Sequence, residues 1–168
     1  MTKDLHMRVS SFFNSSFLVI VFFSFMPFPV IAGVTFNDFL VDKRDVYYGA
    51  SHSLTEEDTG FYEIDWARKN AIKEKPNFAG HYVVYTFNCG TGALCGEVLD
   101  LKTGLVISRL PHPYESESLK LDTVVNSYLM IVSGVEMDAE EMDGSTLTTK
   151  CYILDRTGFD LKFLDKCS

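Results

Sequence analysis

Residues 77–104 read NFAGHYVVYTFNCGTGALCGEVLDLKTG, and the fold turns on how this stretch is read. From His81 to Phe87 the run is β-branched and aromatic, the composition that suits a pleated surface. His81, Val83, Tyr85 and Phe87 share one face; Tyr82, Val84 and Thr86 share the other. Neither face is strongly polar, so the spacing predicts a central strand covered on one side by a helix. Gly90, Gly92 and Gly96 then allow a sharp turn between Cys89 and Cys95. Residues 97–101 resume as a strand, Lys102-Thr103-Gly104 turns it, and residues 105–110 return as a hairpin.

Upstream, residues 1–32 carry the pattern of a secretory signal peptide. Lys3 and Arg8 supply its positive start, and residues 17–31 are almost wholly apolar. Pro27 and Pro29 precede small residues at Val30 and Ala32. The apolar run is short for a bilayer span of about 20 residues, so cleavage is expected over an uncleaved anchor. No cysteine follows the cut to take a lipid. The mature chain is then 33–168, sized for one domain with a real core. Without Lys3, Arg8 and Asp4 it keeps 13 basic and 22 acidic side chains of the 15 and 23 in the whole chain, a net of −9. That charge repels nucleic acid and anionic headgroups and favours a soluble surface or a basic partner.

All four cysteines lie beyond the signal segment. An even count in an exported chain points to two disulfides. Three pairings are open. The local one, Cys89 with Cys95 and Cys151 with Cys167, is the expected one. On loop entropy it would contribute roughly 2.4 and 3.1 kcal/mol. A register with Leu154 opposite Phe159 would set Cys151 against residue 162, so the chain end would have to bend back to bring Cys167 near.

Elsewhere, residues 33–48 suggest a short strand or lead-in segment. Residues 61–75 form the best helix, with Ile64, Ala67, Ala71 and Ile72 on one stripe. Asp58 or Thr59 would cap it and Pro76 would stop it. Trp66 lies off the stripe and is expected to widen the buried face. Residues 119–125 and 127–135 read as strands. Residues 146–154 and 159–164 read as a last hairpin, turned at Asp155-Arg156-Thr157-Gly158. That turn echoes Asp100-Leu101-Lys102-Thr103-Gly104, in the manner of propeller blades, although the chain is too short for several blades. The expected architecture is α+β: one helix on a twisted, mainly antiparallel meander of five to seven strands. Its core face would hold Val83, Tyr85, Phe87, Val98, Leu105, Leu129, Ile131, Ile153 and Phe163.

The candidate chemistry is sparse. In an oxidising compartment Cys89 and Cys95 should be paired rather than nucleophilic. His81 stands eight residues from Cys89, about 26 Å along an extended strand. Five residues between the two cysteines is wide for zinc. The Gly-rich run 90–96 precedes a strand, whereas a dinucleotide fingerprint opens a helix. Glu136, Asp138, Glu140, Glu141 and Asp143 lack the alternation of a calcium loop. They read as a solvated acidic tip or a protrusion that docks into a basic cleft. No cofactor or metal is expected. His112 and Tyr114, in the rigid loop 111–118, join the acidic residues as the expected contact set.

On 77–82, Cys89-Gly90-Thr91-Gly92, Cys95 and 100–104, the chain resembles small exported proteins of Gram-negative bacteria. At the level of fold it is similar to periplasmic immunity proteins, which block peptidoglycan amidases delivered by type VI secretion, often by pushing a loop into the enzyme's cleft. The resemblance implies a small periplasmic or secreted binding protein or inhibitor without catalysis, facing a basic partner such as a cell-wall hydrolase. The alternatives are a secreted hydrolase using His81 or His52 with nearby acids, and a structural envelope protein.

Overall fold

The computed structural model describes residues 33–55, 60–137, 146–155, 157, 160–164 and 167. Residues 1–32, expected to be a signal peptide, and Asp58 and Thr59 lie outside them. The class is α+β. Helix α1 spans Tyr62–Ala71 and is followed by eight strands: β1 Tyr82–Gly90, β2 Ala93–Asp100, β3 Val106–Arg109, β4 Tyr114–Glu115, β5 Lys120–Thr123, β6 Leu129–Val135, β7 Leu147–Leu154 and β8 Leu161–Leu164. They form two antiparallel four-stranded sheets. In the first, β2 is flanked by β1 on one side; β3 and β4 share its other side. The second runs β5-β6-β7-β8. Pro111-His112-Pro113, with rigid φ and missing donors, separate β3 from β4 along β2, and the meander divides between β4 and β5.

Two apolar layers result. Even-numbered residues of β1, β6 and β7 (Tyr82, Val84, Met130, Val132, Tyr152, Leu154) meet with Val98 and Leu110 in one buried cluster. Odd-numbered Val83 joins Leu99 and Leu101 under Ala71 of the helix. So the first sheet is buried on both faces, with the expected helix cover on one of them, but β1, expected as a central strand, is the edge strand of its sheet.

The second sheet buries the face that carries Met130, Val132, Tyr152 and Leu154, which corrects Ile131 and Ile153, while Leu129 is buried as expected. Ile131 and Ile153 sit half-buried on its other face, and Phe163, beside Tyr152 on the edge strand β8, is 52% exposed. Leu105, expected in the core, is exposed because it belongs to the turn before β3. Trp66 is 59% exposed. At 100° per residue it points away from Ala67, Arg68 and Ala71, which face the sheet.

Residues 33–48 form no strand. They make two 3-10 turns, Phe36–Phe39 and Lys43–Asp45, and one isolated bridge, Leu40 to Ser127. Ser127 is fully buried. Its one hydroxyl proton is shared between the Phe36 and Phe39 carbonyls (2.9 and 3.2 Å), and the oxygen accepts from Leu129 N–H. One side chain thus ties the lead-in segment to β6. Residues 78–81 turn beside it: Ala79 N–H donates to Ser127 O and Gly80 N–H to Val125 O. Gly80 has φ +89° and lies against the Asp45 carbonyl, so a side chain there would be strained and crowded.

Both expected disulfides are present, Cys89–Cys95 and Cys151–Cys167, with Cα–Cα distances of 5.7 and 5.3 Å. The last hairpin pairs Leu154 with Leu161 and Cys151 with Leu164. That register brings the chain end within three residues of Cys167. The echoed turns share a device in different sheets. Asp100 accepts from Lys102 N–H and Thr103 Oγ1, and Asp155 accepts from Thr157 Oγ1. Among the described residues no helix is long and apolar enough to cross a membrane.

Asn77 closes part of the edge of β1. Its side chain donates to Val84 O and accepts from Val84 N–H, at 2.9 and 2.8 Å. Asn77→Ala would strand both groups of a buried residue and should cost about 1–3 kcal/mol in urea denaturation. Asn77→Asp, which accepts but cannot donate, should recover only part of the loss.

Candidate functional site

Tyr114 is where the two sheets are stitched. It pairs with Leu94 of β2 and bridges to Glu136 just beyond β6, while Met137 N–H donates to Pro113 O. Its ring lies over Gly134, where a Cβ would come within 2.9 Å of Cδ1. Glycine at 134 therefore leaves room for the ring. Tyr114 is fully buried. It supports the site from beneath and has no surface to offer a partner, which corrects its expected contact role. Burial raises its hydroxyl pKa, and Tyr152 and Glu136 add to the rise.

Glu136 is the focus of the polar groups above this stitch. Lys150 Nζ approaches its two carboxylate oxygens at 2.7 and 2.8 Å. Thr148 and Tyr114 hydroxyls donate to Oε1 at 3.3 and 3.4 Å. His112 Nε2 stands 3.9 Å from Oε2. Beside them a cleft of about 410 Å³ opens between the sheets, lined by Arg109, Pro111, His112, Lys150, Tyr152 and Phe163. The fold thus gathers His112, Tyr114 and Glu136 from the expected contact set, and adds Lys150 from β7. Asp138, Glu140, Glu141 and Asp143 lie outside the described residues. Glu136, the one described member of that acidic run, has its carboxylate engaged internally.

A second polar cluster was not anticipated from the sequence. Glu97, on β2, has no exposed surface. Arg68 of α1 grips it with two hydrogen bonds, Nε to Oε2 at 3.0 Å and Nη2 to Oε1 at 2.9 Å. Tyr85 Oη donates to Oε2, and Arg109 Nε, on a largely exposed side chain, lies 2.9 Å from Oε1. Burial alone would raise the Glu97 pKa. The Arg68 and Tyr85 hydrogen bonds and the charges of Arg68 and Arg109 outweigh burial and hold it below the ordinary value. The signal was available: Glu97 interrupts an apolar face in register with Tyr85, and Arg68 falls on the helix stripe between Ile64 and Ala71.

His81, the alternative catalytic residue, sits 3.6 Å from Asp100, Nε2 to Oδ1, and its ring stacks on Tyr82 at 4.0 Å. Burial pushes its pKa down and Lys102 adds to that, while Asp100 and Asp45 oppose. The Asp100 carboxylate meanwhile organises the turn to Thr103. His52 donates its backbone N–H to Leu101 O, and its ring meets the Ser53 carbonyl. Comparison with protein-family models, curated proteins and solved structures returns no match.

Glu97 yields a pH prediction. A carboxyl held low in the folded chain contributes stability above its unfolded value, near 4.5, and that contribution is lost as pH falls through the folded value. Denaturation midpoints should fall on acidification below that range. Glu97→Gln should cost about 3–5 kcal/mol at pH 7 by leaving Arg68 buried without its counter-ion. It should also flatten the acid limb of the stability profile.

Proposed function

We propose that the chain is an exported, non-catalytic binding protein of the inhibitor kind. It meets a basic protein, such as a cell-wall hydrolase, through the acidic segment that starts at Glu136. The observation that carries this reading is the anchoring of Glu136 by Lys150, Thr148 and Tyr114 at the junction of the two sheets. A contact residue already held in place loses less freedom on binding, so more of its contact energy appears as affinity.

Charge supports the same reading. The whole chain is net −8, and acidic groups close together in sequence speed encounter with a cationic partner. Asp138, Glu140, Glu141 and Asp143 supply that charge, with His112 at the mouth of the neighbouring cleft. Two disulfides fit an oxidising compartment, which for this reading is the periplasm or the exterior. The resemblance of residues 77–104 to small exported proteins, and the fold-level likeness to immunity proteins, add weight as analogy.

The test is capture from periplasmic extract with the purified protein as bait, at low and high salt. One basic protein should be retained at low salt and released as salt rises. The double change Glu140→Lys, Glu141→Lys should weaken retention at least tenfold without altering the denaturation midpoint. Retention unchanged by the double substitution at low salt would remove the acidic segment from the interface.

A further inference from the structure

The outer edge of β1 is closed along half of its length and open along the rest. Leu101 N–H donates to His81 O, while Asp100 N–H donates to Leu105 O. The odd-numbered residues of β1 therefore bond to β2, and the backbone groups of Tyr82, Val84, Thr86 and Asn88 point outward. At Tyr82 these groups meet Asn77 and Phe78, and at Val84 they meet the Asn77 amide. At Thr86 and Asn88, both exposed, no protein group among the described residues takes the outward N–H and C=O. Unpaired edge groups are a template for another strand.

Beside this open edge lies a groove of about 500 Å³. Phe61, Glu63 and Ile64 line it from the start of α1, and Asn88, Cys89 and Gly90 line it from the hairpin tip. Phe61 and Tyr62 are 67% and 74% exposed, an unusual density of large apolar surface at one helix end. The Cys89–Cys95 disulfide spans the hairpin at the bulge between Asn88 and Gly90, so the edge is held in shape before anything binds.

We propose that this edge and groove dock an extended strand of another polypeptide that carries apolar and basic side chains in alternation. Pairing at Thr86 and Asn88 offers up to about four main-chain hydrogen bonds, the source of affinity in strand addition. Every second side chain of the incoming strand faces the same way. An apolar one fits between Phe61 and Ile64, and a lysine or arginine meets the exposed Glu63 carboxylate. The net charge of −8 favours that basic character. The site shares no residue with the acidic segment and stands independently of the reading above.

The test uses the purified, ¹⁵N-labelled protein and a capped hexapeptide of alternating valine and lysine. Its control is the same peptide methylated at every backbone nitrogen, which keeps the side chains and charge but has no donors. The unmethylated peptide should shift the Thr86 and Asn88 amide resonances saturably, and the methylated one should bind at least tenfold more weakly. Glu63→Lys, an exposed change, should weaken binding several-fold, more at low salt. Equal binding of both peptides, or no response at Thr86 and Asn88 at millimolar peptide, would overturn the proposal. A dimer forming through these same residues without peptide would also overturn it, assigning the edge to a second copy of the chain.

Discussion

A carboxylate with no exposed surface sets the geometry of the first half of the molecule. Glu97 stands on the helix-facing side of β2, and Arg68 reaches down from α1 to hold it with two hydrogen bonds. The helix has little else with which to fix its position. Its fully buried apolar residues are Ala67 and Ala71, both small. Small side chains allow close approach but define orientation weakly, since their contacts change little when a helix slides or rotates. A planar guanidinium facing a carboxylate is directional. Desolvating the pair is costly, and the Tyr85 and Arg109 contacts offset part of that cost. The outcome is a helix whose start lies beside the β1–β2 hairpin, with Phe61, Glu63 and Ile64 at one groove.

The second half is held by a different principle. Ser127 and Tyr114 are fully buried polar residues whose partners come from distant segments. Ser127 collects two carbonyls of the lead-in turn, and Tyr114 belongs to one sheet while bridging to the end of β6 in the other. Buried polar groups must be matched, so each fixes the relative placement of the pieces it touches. Glu136 lies on top of this stitch and is matched in turn by Lys150. Glu136, where the acidic run begins, and the edge of β1 are thus both fixed by buried polar contacts. The disulfides lock local geometry at the β1–β2 tip and at the chain end.

Much of this was legible in the sequence. The two-sided composition of residues 81–87 implied a strand under a helix, though β1 lies at the edge of its sheet and not in its centre, and the two local disulfides matched the expectation drawn from an even cysteine count and spacing. The helix was found, though it ends at Ala71, one turn before Pro76. Other features escaped because they depend on tertiary partners. Whether Ile131 or Met130 faces the core depends on which side of β6 meets the other sheet, and the expected single meander placed the core on the wrong side. Trp66 was placed inside by its size, but the helix turns it outward. Glu97 and Arg68 are 29 residues apart, so their pairing needs the helix-to-sheet packing to be known. Tyr114 looked like a loop residue between prolines and glutamates. Only the return of β6 beneath it, with glycine at 134, makes it a core residue.

The central claim is that the Arg68–Glu97 contact, and not apolar packing, orients the helix. A double-mutant cycle on Arg68→Met and Glu97→Leu, followed by urea denaturation at pH 7, tests it most directly. The account predicts that each single change destabilises by about 3–5 kcal/mol and that the double variant loses clearly less than the sum, because neither charge is left stranded. Additive losses, or single changes costing under about 1 kcal/mol, would contradict it.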